Sequence, residues 1–369
     1  MAPIDVSERN EMRETFARFL ADRCTEAHVR AIMATDDAHD PEIWSAMAEM
    51  GILATLVPQD HDGLGGGALE IETLMEEAGS VLLPGPFFSS AVLATQLLAS
   101  SQDGPTKQRL LPRLANGSMI GTVALTGDKG LWNGQDCDVA VSGDGEEVTL
   151  SGSANYVSDG ALADLVLVVA GQGSDRRLYE VTGRSGLTVT PLTSFDPTQR
   201  LARLQFCGAP VRLVPSVGAA EIDRALDMAR IALAGRQAGA ARRNFDATVE
   251  YLRTRVQFGR TIGGFQAVKH MAADLLIESE SALTGARSAA EAYAAGEDIA
   301  EELVALASFA VSEAQQKIAF DAIQLHGGIA FTWEHPAHLY LRRARHDAMF
   351  LGSNDLARDR LITILENAA

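Results

Sequence analysis

From Gln324 the chain reads Gln-Leu-His-Gly-Gly-Ile-Ala-Phe-Thr-Trp-Glu-His-Pro, continues through Arg342-Arg343-Ala344-Arg345, and reaches Phe350-Leu351-Gly352-Ser353. This stretch follows three long helical patterns. In the first, Ile222, Leu226, Ala229 and Leu233 recur at helical spacing, and the periodicity persists toward Phe258, where Gly259 ends it. A helix of about 40 residues would be ~60 Å long at 1.5 Å rise per residue. Two more patterns follow at 264–295 and 298–325, and a last helix is expected at 354–367. Four long antiparallel helices make a bundle. Small residues at helical spacing, Ala282, Ala286, Ala289 and Ala290, permit close helix approach.

Upstream, from about 119 to 216, the texture changes to short apolar or alternating runs broken by Gly, Asp and Ser. Seven read as strands: Val123–Leu125, Val139–Val141, Val148–Leu150, Leu165–Val168, Leu178–Val181, Leu187–Val189 and Leu201–Leu204. Strands at such regular spacing indicate a small barrel or sandwich. The first part is helical again. Ser7 precedes a run through Phe16, Phe19 and Leu20, and a second run from Ile43 stops at Gly51. Further helices are expected at 68–80, 89–100 and 104–116. The glycine cluster Gly63-Leu64-Gly65-Gly66-Gly67 follows no strand, so a plain loop is the better reading than a phosphate cradle. The expected class is therefore multidomain α+β with segregated elements: an N-terminal helical domain (1–118), a middle β-barrel or sandwich domain (119–216) and a C-terminal four-helix bundle (217–369).

Composition narrows the function classes. With 31 basic against 49 acidic residues the net charge is −18, which argues against binding a phosphate backbone. Cys24, Cys137 and Cys207 form no C-x-x-C pair, so neither a metal site nor a disulfide framework is indicated. No uncharged apolar stretch is long enough to span a bilayer, and the N-terminus has no apolar signal region. A soluble cytoplasmic protein is the expectation.

The C-terminal stretch resembles the signature of the acyl-CoA dehydrogenase family, in which an aromatic-Glu-Gly-Thr run carries the base that removes the proton alpha to a thioester. A second match, Arg255-Val256-Gln257-Phe258-Gly259 followed by Phe265-Gln266, is similar to the family's Arg-x-Gln-Phe-Gly segment. There the arginine and glutamine reach the pyrophosphate and adenosine side of FAD bound mostly to a neighbouring subunit, a use that suits a guanidinium fork. Read alone, the segment is also an ordinary helix end with a glycine stop. A weaker match, Ser151–Asp159, resembles a Gly-x-Lys-x-Trp-Ile-Thr segment; the ring flanking the isoalloxazine would be Tyr156 and the hydroxyl near N5 would be Ser158. Read plainly, these are a strand-edge tyrosine and a turn serine. Thr126 stands at the family's Thr-Glu-Pro, but Gly127-Asp128-Lys129-Gly130-Leu131-Trp132 replaces the rest of that motif.

The resemblance implies an FAD site built from Thr126, Tyr156, Ser158, Arg255, Gln257, Phe258, Gln266, Gln324, Gly327, Gly328, Gly352 and Ser353, with glycines that let backbone amides approach the pyrophosphate. It implies Asp227 and Arg230 near the CoA arm. It also implies lipid metabolism, an acyl-CoA substrate, an electron-transfer flavoprotein as acceptor and a tetramer, with no nucleic acid or membrane partner.

The base itself is missing. Its position falls on Leu351, and the alternative position, just before an arginine on the long helix, falls on Ala229. Leucine and alanine take no proton, so no catalytic residue is assigned. Asp227 points away from Ala229 around the helix. Asp355 and Asp347 lie four residues to either side of Leu351, and each reads more simply as a solvated or helix-capping acid. The family includes bacterial hetero-oligomers of two homologous chains in which one chain supplies the base. Three readings stay open: the base-lacking subunit of such an assembly, a self-sufficient homotetramer with a displaced acid, and a non-redox acyl-CoA or partner-binding protein.

Overall fold

The computed structural model describes residues 4–132, 138–143 and 147–368; Cys137 lies outside them. Six helices come first: α1 (Val6–Arg23), α2 (Glu26–Met33), α3 (Pro41–Glu49), α4 (Ala68–Ser80), α5 (Thr95–Ala99) and α6 (Gly104–Ala115). Seven strands follow: β1 (Gly121–Ala124), β2 (Asp138–Ser142), β3 (Val148–Ser158), β4 (Leu165–Ala170), β5 (Arg177–Val181), β6 (Leu187–Leu192) and β7 (Leu201–Leu213). Then come α7 (Ala219–Thr254), a hairpin of β8 (Val256–Gln257) and β9 (Arg260–Thr261), α8 (Gln266–Ala295), α9 (Ala300–His326), α10 (Ala337–Asp347) and α11 (Asn354–Ala368). The expected α+β order of helices, sheet and helices is what forms.

The helix starts follow side-chain chemistry. Asp5, rather than Ser7, caps α1: its carboxylate accepts the Glu8 amide while Glu8 accepts the Asp5 amide, which satisfies two orphan donors at once. Asp40 caps α3 ahead of Pro41, and Gly51 at φ +77° follows its end, as expected. The helix expected at 89–100 opens instead as a buried π-helix, Phe87–Ala94, before α5. Such wide turns are frequent at functional sites.

The chain divides into two compact units. One comprises Arg30–Gly67 and Pro84–Ala229, the other Asp5–Val29, Ala68–Leu83 and the chain from Arg230 onward. The first holds a curled seven-stranded sheet in the order β1-β4-β5-β7-β3-β2, with β6 also paired to β7; only β1 and β4 run parallel. Thirteen-residue β7 is its spine. One edge pairs with β6 over Leu201–Phe206 and with β5 over Val211–Leu213, and the other edge pairs with β3. Ala202, Leu204 and Phe206 face the core, then Ala209 and Val211 do. That change of parity needs one extra residue, and Gly208, at φ +69°, supplies it as a bulge. The sheet curls far enough for β1 to reach β3, where the Thr122 hydroxyl donates to the Ser158 carbonyl.

In the second unit α4 and α7 cross backbone to backbone. A Cβ added at Gly239 would lie 1.8 Å from the Glu76 carbonyl oxygen, one at Gly235 2.5 Å from that of Glu72, and one at Gly79 2.0 Å from that of Arg236. Only hydrogen fits. Alanine normally stabilises a helix relative to glycine by up to about 1 kcal/mol. Here Gly239→Ala is expected to do the opposite, costing about 1–3 kcal/mol as an overpacked contact. Denaturant unfolding measures it, and unchanged or raised stability would refute the contact.

The long helix α7 is 36 residues and stops at Thr254, short of the expected Phe258. Val256 and Gln257 pair with Thr261 and Arg260 across a two-residue turn, Phe258-Gly259, at φ +52° and +78°. Both central residues at positive φ define the tight hairpin turn that matches strand twist. The helical periodicity ran on because it sees side chains and not this reversal. A further helix, α10, joins the expected C-terminal four.

Candidate functional site

In the first unit the sheet itself aims the predicted residues. Along β3, Ala154 pairs with Leu204 but Val157 pairs with Ala202, so three steps on one strand answer two on the other. The extra residue is accommodated at Asn155-Tyr156, and Tyr156 takes φ +55°, a region that non-glycine residues seldom occupy. The residue is 41% exposed, and its ring lies beside Gly130, where an added Cβ would come within 3.3 Å of it. Bulges of this kind re-aim side chains next to active sites. The same bulge ties down the segment after β1. Asn155 N donates to the Thr126 carbonyl (2.9 Å), the Thr126 hydroxyl donates to the Asn155 carbonyl, and the Asn155 amide nitrogen donates to Asp128. Thr126 is thus buried with its proton already given.

Ser158 is buried too. Its hydroxyl donates to Asp159 Oδ2 at 3.2 Å, and Asp159 Oδ2 also accepts the Ser89 hydroxyl at 2.6 Å. Neither Asp159 nor Ser89 was singled out from the sequence. Their contact joins positions 70 residues apart and leaves no local pattern.

In the second unit the end of α7 and the end of α9 meet. The Tyr251 ring stacks on His326 with centroids 4.5 Å apart, and His335 packs on His326 at the same distance. Burial lowers the His326 pKa, which keeps the ring neutral at physiological pH. One turn beyond Tyr251, Arg255 and Gln257 are exposed, and Phe258 is 90% exposed with its ring edge toward Phe265. Gln266 and Gln324 are exposed as well. Gly327, after the last residue of α9, sits at φ +69°, ψ −147°, a conformation open essentially to glycine alone. Nothing lies within 4 Å of an added Cβ at either Gly327 or Gly328, so this backbone faces open space.

The base position lies in the same unit. Leu351 is buried and holds φ +60°, ahead of Gly352 at φ +112°. Behind it, Arg236 Nη2 donates to Asp347 Oδ1 at 2.6 Å, both side chains almost fully buried. His346 Nδ1 lies 3.2 Å from the same oxygen, Phe350 stacks on His346, and the Arg236 guanidinium sits 5.5 Å from the Phe350 ring centre. Burial pushes Asp347 toward the neutral form, but Arg236, the His346 contact and Arg343 outweigh it and hold the carboxyl below its usual value. The reading of Asp347 as a solvated or capping acid is therefore corrected: it is a buried ion-pair partner. Asp355 is the solvated acid, its side chain 91% exposed and facing Arg358. Ser353 accepts the Leu356 amide at the start of α11. Asp227 is buried and Arg230 half-buried on α7.

The family models for the acyl-CoA dehydrogenase N-terminal and C-terminal domains match residues 7–118 and 217–365. The chain belongs to the acyl-CoA dehydrogenase family, whose members are FAD-dependent oxidoreductases. It is 36% identical over 347 residues to acyl-CoA dehydrogenase IpdE2 of Mycobacterium tuberculosis, covering 94% of this chain and 93% of that one. A chain of the ChsE4–ChsE5 complex from Mycobacterium tuberculosis superposes with a TM-score of 0.90 at 28% identity over 99% of each chain. A chain of a Tcur3481–Tcur3483 steroid ACAD variant does so with a TM-score of 0.89 at 26% identity over 98% of each. Among the described residues no helix is long and apolar enough to cross a membrane, and no group of three or more metal-ligating side chains gathers.

The residues present suit a large ring-and-phosphate cofactor. In the second unit the open glycine backbone at Gly327-Gly328 admits close approach and the hairpin presents an unburied guanidinium, amide and ring; in the first unit, taken by itself, Tyr156 is exposed. The hairpin also carries an unusual residue for its backbone: Phe258 stands at φ +52°. Phenylalanine is a poor choice at positive φ, where Asn before Gly is favoured. Phe258→Asn is therefore expected to leave folding stability unchanged or slightly higher while lowering the flavin retained on purification. Parallel thermal melts and flavin-to-protein absorbance ratios check this, and full retention would remove the hairpin from the cofactor site.

Proposed function

We propose that this chain is an FAD-binding acyl-CoA dehydrogenase subunit that lacks its own base and works with a homologous chain that carries one. The observation behind this reading is Leu351: a buried hydrocarbon at the position from which the alpha proton is removed. Neither neighbouring acid replaces it. Asp347 is committed to Arg236, and a carboxyl held ionised by a buried guanidinium is a weak base. Asp355 stands in solvent. Two relatives in fold, ChsE4–ChsE5 and Tcur3481–Tcur3483, are named as pairs of chains. That naming supports a heteromeric assembly.

When bound, FAD supplies the acceptor for the hydride that leaves the beta carbon. This chain's residues hold the cofactor and the thioester in place. In the second unit Arg255 and the Gly327-Gly328 amides would hold a pyrophosphate, and Gln257, Phe258, Gln266 and Gln324 an adenosine side; in the first unit Tyr156, Thr126 and Ser158 would hold a ring system. Gly352 and Ser353 shape the turn that carries Leu351, while Asp227 and Arg230 would each meet the CoA arm. The alpha proton goes to a carboxylate of the partner chain, and an electron-transfer flavoprotein would be the electron acceptor. The assembly is a tetramer working in the cytoplasm. Co-expression with a homologous chain encoded nearby, and purification through a tag on this chain alone, is expected to give a yellow two-chain complex. A flavin-loaded homotetramer formed in the presence of that chain would overturn the reading.

A further inference from the structure

We propose that Asp159 is a positioning residue that fixes the direction of the Ser158 hydroxyl and so raises the reduction potential of the flavin. The proposal rests on the reading that Ser158 faces N5. Asp159 is 5% exposed, and its Oδ2 accepts two hydroxyls, Ser89 at 2.6 Å and Ser158 at 3.2 Å. Oδ2 accepts from both hydroxyls, and an ionised carboxylate can only accept. Both serines must therefore donate. A hydroxyl carries one proton, so Ser158 turns its lone pairs outward.

The rest of the site holds this arrangement still. Thr122, fully buried on β1, donates to the Ser158 carbonyl, and the Asp159 amide donates to the Arg200 carbonyl at 2.9 Å. Ser89 stands on the π-helix, whose eight residues are all buried, and its hydroxyl also lies 3.2 Å from the Pro86 carbonyl. Asp159 itself sits at φ +53°, which aspartate and asparagine tolerate better than most residues. A low dielectric strengthens each of these bonds.

The consequence concerns which redox form is favoured. Oxidised N5 has a lone pair and accepts hydrogen bonds; N5 of the two-electron-reduced form carries a hydrogen and donates. An outward lone pair on Ser158 complements the reduced form only. Asp159→Asn replaces a pure acceptor by an amide that can donate to Ser158, which frees the hydroxyl proton to point at N5. That rotation favours the oxidised form.

The test is the midpoint potential of the bound flavin, followed by absorbance in dithionite titrations against reference dyes. The flavin-loaded protein is used as purified, with its partner chain if the partner is needed to retain FAD. Asp159→Asn is expected to lower the ratio of reduced to oxidised flavin at fixed potential roughly tenfold, a shift of about 30 mV for a two-electron couple. Ser89→Ala keeps the carboxylate and removes its competing donor, so it is expected to shift the potential the other way, and it serves alone if the asparagine variant does not fold. Ser158→Ala separates the two layers of inference. A potential unmoved by Ser158→Ala would show that Ser158 does not face N5, and the relay would fall with that reading. A potential moved by Ser158→Ala but not by Asp159→Asn, or moved the same way by Asp159→Asn and Ser89→Ala, overturns the relay alone.

Discussion

Leu351→Glu is expected to raise the rate of alpha-beta dehydrogenation by this chain's own flavin site about 10²–10⁴-fold, the usual worth of a positioned general base. The backbone of the turn is already fixed. Leu351 sits in the left-handed region, where a side chain is held at a conformational cost of order 1–3 kcal/mol and only because its surroundings enforce it. Those surroundings persist: Phe350 is clasped between His346 and Arg236, and its amide donates to the His346 and Asp347 carbonyls at 3.1 and 3.2 Å. A glutamate there would stand in an apolar position, and burial would raise its pKa toward the working pH, as a general base requires. Leu351→Gln has nearly the same shape and no basicity, so it is expected to show no gain. Stopped-flow reduction of the flavin by acyl-CoA distinguishes the three proteins. Equal rates for glutamate and glutamine would mean that this turn does not face the thioester.

Arg236→Met is expected to destabilise the second unit by about 3–5 kcal/mol, because it strands a buried carboxylate. Asp347 is enclosed and Arg236 is its principal counter-charge. Removing both charges together, as Arg236→Met with Asp347→Leu, is expected to recover most of that loss, since a buried ion pair is itself worth little against packed hydrocarbon. The pH dependence has a definite sign. The folded carboxyl titrates below its unfolded value of 3.8, so its stabilising contribution is complete above that value and is lost as pH falls through the lower, folded one. The double variant should lose this acid-side decline. Denaturant unfolding at neutral and acidic pH measures both effects. An Arg236→Met protein as stable as the parent would mean that Asp347 is not ionised inside the fold.

Much of the architecture was legible because it rests on local signals. The helix α4 falls at the expected 68–80, and the seven strands of the large sheet fall where short apolar runs were read. What stayed hidden depends on distant backbone. The hairpin at Phe258-Gly259 was absorbed into a helix because its residues continue the periodicity. The Gly235–Gly239 spacing is an ordinary feature of a helix until α4 lies against it. At the site, sequence named Tyr156 and Ser158 but not the bulge that aims one or the carboxylate that orients the other. Asp347 was noticed only as an acid near Leu351; its partner Arg236 is 111 residues away, and no spacing rule connects them. The empty base position was plain from the sequence, because leucine excludes proton transfer wherever the turn lies.

Anaerobic titration of the flavin-loaded wild-type chain with a panel of acyl-CoA thioesters, alone and joined to a homologous chain that carries the glutamate, bears most directly on the missing base. Flavin absorbance near its visible maximum is the readout. The account predicts little bleaching by any thioester for the chain alone and full bleaching for the joined pair. Complete and rapid bleaching of the isolated wild-type chain would contradict it, since this polypeptide would then possess a proton acceptor of its own.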